Sequence, residues 1–403
     1  MTAAQPADTE TVRGFVVHSL VQRAGRDASR IACLGRLDDG RTFAAVWSPY
    51  RPRLFVRSSD ADAAVRAVPG ACEVERSDRR TIDGEPVVAV SAASVADLRD
   101  ARSACERTGI RTYEADVAPT DSFLIDHRIH GTVELSGPIV DGKAVDCVMM
   151  NPTVSPVDAA IALEVVSIDI ETDVDTGEIL AIALVSTGAW KPPVSTVLLV
   201  NPRGHAIDGD AIDGHAIDDA AADGSIEAFA DEAALLRRFI ERVRTIDPDI
   251  ITGWNVIDFD LATIAARLDR HAIEFAISRS TEPARFLPAS RDRDGRRQNA
   301  GFACQGRQAI DGLRLVRYGP EHFSDRRLDS VANAVLGTGK TIAASTSASK
   351  IATLRSLYRD DPVAFCRYCL NDADLVLQIL NRTGLLDLTI RRGSLTGVGL
   401  ARA

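Results

Sequence analysis

No run of apolar residues in the sequence approaches the length of a membrane span. Residues 1–12 are polar and carry Asp8 and Glu10, where a secretory leader needs a basic start and an apolar stretch. A framework of paired cysteines is also lacking. The seven cysteines are odd in number and follow no framework spacing, which points to a reducing, cytoplasmic setting. Net positive charge is absent: the formal charge is −10, which argues against a protein that coats duplex DNA non-specifically. An enzyme with an acidic metal site and a local basic face remains compatible with that balance. Aromatic residues are only 5%, against abundant Ala, Arg and Asp, a pattern that reflects coding bias rather than function.

The 403 residues are enough for two or three domains, and 45% hydrophobic with 26% charged residues is ordinary for a globular protein. Residues 1–12 are expected to be disordered. Between residues 14 and 150, short apolar runs alternate with turns, predicting an α+β domain. Asp38-Asp39-Gly40 marks a hairpin turn. Helices are expected over 59–68, capped by Ser59 or Asp60, and over 94–108, closed by Gly109; a strand is expected over 112–117. His127 and His130 lie three apart on an expected helix without a third ligand, so a metal site is not expected there. The Pro-containing segment 152–158 divides this domain, residues 1–155, from the next, residues 156–390, with a tail over 391–403.

The second domain opens on Val165-Val166-Ser167-Ile168-Asp169-Ile170-Glu171-Thr172, a buried strand carrying two acids. Alternation puts Asp169 and Glu171 on one face. They are either solvated at a strand end or paired with a divalent cation, because buried unpaired carboxylates are costly. Two more strands follow as an antiparallel meander. The tract 204–225 repeats Ala-Ile-Asp and reads as a solvated insertion, with metal binding by its Asp and His residues the alternative. Over 279–317, nine arginines face four acids, a local charge of +5. Its centre, Arg291 to Arg297, is an exposed hairpin tip suited either to solvent or to phosphate contact. Leu336-Gly337-Thr338-Gly339-Lys340-Thr341 is not a P-loop: position 334 is Ala where Gly is needed, and the segment follows a helix. Gly337 is better read as a helix C-cap, and an ATPase resting on Lys340 is disfavoured. Cys366 and Cys369 read as helix cysteines rather than a redox pair.

Two further stretches match the acids of the first strand. In Gly253-Trp254-Asn255-Val256-Ile257-Asp258-Phe259-Asp260, Asp260 is placed to cap a helix starting at Leu261. In Tyr368-Cys369-Leu370-Asn371-Asp372, Tyr368 and Asp372 share a helix face near its buried side. Four acids and a tyrosine could form a two-metal site for phosphodiester hydrolysis, with cations about 4 Å apart. Each residue taken alone also has an ordinary structural reading.

Asp169-Ile-Glu171, Asn255-x3-Phe259-Asp260 and Tyr368-x3-Asp372 resemble, in order, the three motifs of the 3′–5′ proofreading exonucleases, in the branch with tyrosine in the third. The likeness is nearest to the family B DNA polymerases and, within them, to the bacterial polymerase II branch. Tyr113 to Val117, Gly306-Arg307 and Ile310-Asp311-Gly312 carry it further. The resemblance implies an α/β, RNase H-like exonuclease domain, its mixed sheet flanked by helices, behind an N-terminal α+β domain. It implies that Asp169, Glu171 and Asp372 hold a first Mg²⁺ or Mn²⁺, that Asp169 bridges to a second ion, and that Asp260 acts mostly through water. Tyr368 would orient the attacking water, and Asn255 and Phe259 would contact the 3′-terminal nucleotides. Asp258 is a rival acid, but the family pattern favours Asp260. Arg293, Arg296 and Arg297 are candidate DNA contacts. The implied partner is a single-stranded DNA 3′ end in a bacterial cytoplasm, with polymerase domains or a sliding clamp added in a longer protein, and no membrane. The palm motifs of family B polymerases are missing, so this polypeptide alone is not expected to polymerise DNA. It would be an N-terminal fragment of such an enzyme or a freestanding relative. A weakly active or non-catalytic DNA-binding fragment is the alternative reading.

Overall fold

In a computed structural model, which describes residues 9–25, 28–201, 226–291, 295–338 and 347–400, Thr9 to Val12 of the segment expected to be disordered instead belong to strand β1 (Thr9–Arg23), and residues 1–8 lie outside the described residues. In β1, Phe15, Val17 and Leu20 are buried. β2 (Ser29–Leu37) and β3 (Thr42–Tyr50) form the expected hairpin. β4 (Arg53–Arg57), α1 (Ala61–Ala67), β5 (Cys72–Arg80), β6 (Pro86–Ala92), α2 (Val95–Arg107) and β7 (Thr112–Tyr113) follow. Asp60 occupies the N-cap position of α1 without a side-chain bond, whereas Ser94 caps α2 by accepting from the Asp97 amide. β7 is shorter than expected, because Glu114 turns the chain at φ 53°. α3 (Pro119–Asp126) then leads to β8 (Thr132–Asp141), β9 (Cys147–Met150) and β10 (Thr153–Pro156).

The chain forms two units, Met1–Ile161 with Ser394–Gly397, and Ala162–Gly393 with Val398–Ala403. In the first, a six-stranded sheet runs β1-β2-β3-β9-β8-β10 and closes on itself, since β1 also pairs with β8. Ile31, Phe43, Leu135 and Met149 fill its interior. A second sheet, β5-β6-β4-β7, packs Leu54, Val56 and Val90 against Ala64 of α1 and Ala101 of α2. The histidine pair does not lie on a helix as expected. His127 is the residue after α3, and its ring packs on Phe123, with centroids 4.3 Å apart.

The second unit is built on β11 (Val165–Thr172), β12 (Ile179–Ser186), β13 (Ser195–Val200), β14 (Ile226–Phe229), α4 (Glu232–Ile246), β15 (Ile250–Gly253) and α5 (Asp260–Arg270). Short hairpin strands β16 (Arg285–Leu287), β17 (Ser290–Arg291), β18 (Arg297–Gln298) and β19 (Gly301–Ala303) precede β20 (Gln308–Asp311). Helices α6 (Gly312–Tyr318), α7 (Leu328–Leu336), α8 (Ser347–Asp360) and α9 (Pro362–Thr383) follow, with α10 (Leu385–Thr396) as far as Gly393. α10 corrects the expectation that the chain ends without a regular element after 391. Gly337 closes α7 at φ 72°, as its sequence predicts. Gly339 to Thr341 and the tract 204–225 lie outside the described residues.

The sheet order is β14-β13-β12-β11-β15-β20. β11, β12 and β13 form the antiparallel meander, while β15 and β20 join in parallel, so the sheet is mixed and flanked by helices, as an RNase H-like domain requires. Strand alternation divides its two faces. Val166, Ile168, Ile170, Ile182 and Leu184 pack against Leu236, Phe239 and Val243 of α4 and Ile264 of α5. Ala181, Ala183 and Val185 pack on the opposite side against Phe365, Cys366, Tyr368 and Cys369 of α9. Ser167, Asp169 and Glu171 therefore face α9.

Candidate metal centre

Asp169 pairs across the sheet with Ala183, and Glu171 with Ala181. Both alanines are fully buried, and a methyl is the smallest side chain that keeps a strand position apolar. Their size lets α9 come close beside the two acids. α9 starts at Pro362, where a missing N–H costs nothing, and Asp361 accepts from the Ala364 amide at 3.0 Å. Buried residues then run along α9 to Leu380, and Asp372 is among them at 2% exposure. Ligand oxygens of Asp169, Glu171 and Asp372 all lie within 4.8 Å of one another. Tyr368, one turn before Asp372, hydrogen-bonds to it, and burial together with the surrounding carboxylates pushes the phenol far above its ordinary pKa.

The donor set suits a hard divalent cation. It is all carboxylate oxygen, and three such groups in contact repel unless a cation or protons sit among them. Burial and the charges of Glu171, Asp169 and Asp372 push the neighbouring Cys369 thiol well up. These residues fit Mg²⁺ or Mn²⁺ better than a soft metal.

Asp260 corrects one expectation. The N-cap of α5 is Phe259, with no side-chain cap bond, and Asp260 is the first helical residue. Its Oδ1 instead accepts from the Ile170 amide at 3.0 Å. β15 pairs with β11 only as far as Ser167, and Asp260 takes over the backbone edge beyond it. Gly253, at the end of β15, permits this approach, since a Cβ there would lie 2.5 Å from the Ile168 carbonyl oxygen. Burial raises the Asp260 carboxyl to about 8, with the Ile170 bond opposing and the charges of Asp311 and Glu171 adding to the rise.

Asn255 sits in the loop before α5 with φ 64°, a conformation asparagine tolerates, and its carbonyl accepts from the Phe259 amide at 3.0 Å. Phe259 is 46% exposed. The rival acid, Asp258, points elsewhere: Arg314 holds it at 2.7 Å. The sequence placed Asp311 in the arginine-rich region and within the family-like Ile310-Asp311-Gly312, without a role at the site. Asp311 caps α6 through the Arg314 amide at 3.1 Å, accepts from the Ile257 amide at 3.2 Å, and raises Asp260 by its charge. The sequence signal was its place directly before a helical pattern.

The arginine-rich region is not one surface. Arg279 and Arg307 are 2% and 3% exposed and hold Asp247 and Asp249 inside the unit. Arg296 and Arg297 are exposed at the β17–β18 hairpin, and Arg293 lies outside the described residues.

Residues 110–319 match the family model for the family B DNA polymerase exonuclease domain. Tyr368 and Asp372 lie beyond the matched segment. The chain is 27% identical over 321 residues to DNA polymerase II of Escherichia coli (strain K12), covering 79% of this chain and 37% of that protein. It is 29% identical over 176 residues to the DNA polymerase delta catalytic subunit of Caenorhabditis elegans, covering 42% of this chain and 16% of that one. The family B DNA polymerase of the archaeon Pyrobaculum calidifontis shares the fold at a TM-score of 0.70 and 18% identity, over 97% of this chain and 48% of that structure. The chain thus spans well under two thirds of each of these relatives. No helix among the described residues is long and apolar enough to cross a membrane. With more than half its length under the family model, the chain belongs to the family B DNA polymerase exonuclease-domain family.

Proposed function

We propose that this chain is the proofreading portion of a polymerase II-like enzyme and hydrolyses single-stranded DNA from the 3′ end with Mg²⁺ or Mn²⁺. Residues 156–390 are the exonuclease domain in this reading, and 1–155 the N-terminal domain. The observation that carries it is the convergence of Asp169, Glu171 and Asp372 within 4.8 Å. Bound divalent cations would supply an activated water at neutral pH and neutralise charge developing on the phosphoryl group.

The chain's own residues do the rest. Asp169, Glu171 and Asp372 would hold the divalent cations. Asp260, anchored on Ile170, acts through water. Tyr368 keeps its proton at neutral pH, donates it in a hydrogen bond to Asp372, and accepts from the attacking water with its oxygen lone pairs. The exposed Phe259 ring offers a stacking surface for a terminal base, and Asn255 a polar contact beside it.

The test is incubation of the purified chain with labelled single-stranded DNA and Mg²⁺ or Mn²⁺. Release of mononucleotides from the 3′ end is expected, abolished by Asp169→Ala with Glu171→Ala. No release by the wild type, or an unchanged rate in the double variant, overturns the proposal. Mn²⁺-dependent thermal stabilisation without turnover would instead identify a non-catalytic fragment.

A further inference from the structure

A cavity of about 250 Å³ lies in the second unit among residues of α6, α10 and β20. Every residue that lines it belongs to that unit, and neither the three clustered carboxylates nor Tyr368 is among them. Its volume is near the lower end of the sizes at which a pocket encloses one small molecule. Gly319, the residue after α6, lets the two helices come together at this cavity. A Cβ there would lie 2.8 Å from Leu385 Cδ2 and 2.9 Å from the Leu315 carbonyl oxygen. Leu315 of α6 and Leu388 of α10 give the cavity apolar walls.

Tyr318 and Asn299 line the same cavity, and the fold makes no use of their polar groups. Tyr318, the last residue of α6, is 67% exposed. Among the described residues its hydroxyl makes no hydrogen bond, and its ring meets neither another ring nor a cation. Asn299, between β18 and β19, has a side-chain amide that makes no hydrogen bond among the described residues either. One exposed residue of either kind is ordinary. Here the two share a cavity with Arg314 and Arg392, set against one acid, Asp311. Arg314 is fixed by Asp258 at 2.7 Å and by the Ala300 carbonyl at 2.8 Å. Asp311 already accepts from the Ile257 and Arg314 amides. The lining thus offers apolar walls, an aromatic face, an amide that can both donate and accept, and a surplus of positive charge.

We infer that this cavity is a binding site, separate from the metal centre, for a nucleoside 5′-monophosphate. The inference rests on the exonuclease reading above for the source of that ligand, since each cleavage releases one. A base has a π-face that stacks on a tyrosine ring. Its edge carries donors and acceptors that an asparagine amide matches. The phosphate pairs with an arginine guanidinium. Inorganic phosphate would leave Tyr318 and the apolar walls unused, and an aliphatic carboxylate would leave Asn299 unused. A mononucleotide engages all of them.

The test measures binding of 2′-deoxyadenosine 5′-monophosphate, and of 2′-deoxyadenosine, to the full chain by titration calorimetry in EDTA. Without a cation the carboxylate cluster repels a phosphate, so Asp169→Ala with Glu171→Ala should leave the affinity unchanged. Tyr318→Ala should weaken the monophosphate about tenfold, the usual worth of one base stacked on an aromatic ring. Arg392→Ala should weaken it by about as much, and the nucleoside should bind about tenfold more weakly than the monophosphate. Leu388→Trp, which fills the cavity, should abolish binding, with circular dichroism checking its fold. Tyr318 and Arg392 are exposed, so their variants probe the site without emptying a core position. No binding by the wild type, an affinity unmoved by Tyr318→Ala and Leu388→Trp, or equal affinity for nucleoside and monophosphate overturns the inference. A loss confined to Asp169→Ala with Glu171→Ala puts the nucleotide at the metal centre and overturns it too. In each of these cases a chain that still degrades single-stranded DNA leaves the exonuclease reading standing. Binding with the expected sensitivities by a chain that cleaves no DNA overturns that reading alone.

Discussion

Asp260 Oδ1 accepts a hydrogen bond from the backbone N–H of Ile170, the one residue between Asp169 and Glu171, at 3.0 Å. The start of α5 is thereby latched to the strand segment that presents two of the cluster's carboxylates. Asp260→Asn keeps an acceptor for that N–H and removes the ionisable carboxyl. It should melt within a few degrees of wild type in EDTA yet lose about 100-fold or more in cleavage rate. Asp260→Ala leaves the N–H without an acceptor and should cost about 1–3 kcal/mol in addition. Denaturant melts and single-turnover rates on both variants check the pair.

Asp258 should matter little. It is held by Arg314 and is far more exposed than Asp260. Asp258→Asn is expected to change the cleavage rate by less than about threefold and stability by less than about 1 kcal/mol, the usual worth of an exposed ion pair. A loss as large as that of Asp260→Asn would make Asp258 the functional acid of this loop.

Ala183 sits opposite Asp169 and is fully buried against α9. Ala183→Leu should overpack the interface at a cost of about 1–3 kcal/mol. Because the added bulk pushes α9, and Asp372 with it, away from β11, the variant should also lose the Mn²⁺-induced rise in melting temperature. A stabilised variant with an intact metal response would contradict the close-packing argument.

The wild type should be stabilised by Mn²⁺ by about 2.7 kcal/mol at a hundredfold excess over the dissociation constant. Asp372→Asn, which removes a charge but little volume, should abolish most of that gain. Calorimetric scans with and without Mn²⁺ read it directly, independently of any DNA substrate.

Glu232 gives a pH signature away from the metal centre. Burial raises its carboxyl, but Arg267, the Ile179 amide and His271 outweigh burial, so its pKa lies below the ordinary 4.5. The Ile179 amide donates to Oε1 at 2.8 Å, and Arg267 Nε at 2.7 Å. A depressed folded-state pKa means the ionised form stabilises the fold above about pH 4.5, and that this stability is lost as pH falls through the lower folded value. Glu232→Gln should therefore cost about 3 kcal/mol at pH 7, since it leaves Arg267 buried with its charge unbalanced. The gap to wild type should close below about pH 4, as urea melts across pH will show.

Local periodicity made much of this domain legible. The alternation of β11 put Asp169 and Glu171 on one face, and helical spacing put Tyr368 beside Asp372, because covalent geometry settles both within a few residues. The cap at Gly337 and the β2–β3 hairpin were readable for the same reason. β1 was not, since Thr9 to Val12 look polar and extended until β8 supplies their hydrogen-bonding partner from residues 135–138. Nor was α10 anticipated, because its Arg391, Arg392 and Gly393 weaken a helical pattern that packing of Leu385 and Thr389 sustains.

The sequence by itself determined which residue types could meet a divalent cation and on which faces of strand and helix they lie. Only the tertiary structure decided that three of the acids converge, that Asp260 turns from helix cap to backbone latch, and that Arg279 and Arg307 are interior ion-pair partners rather than surface cations. Each of those outcomes depends on a partner tens of residues or more away. Burial and hydrogen bonding, which set both the cost of a charge and its pKa, are properties of that partner as much as of the residue itself.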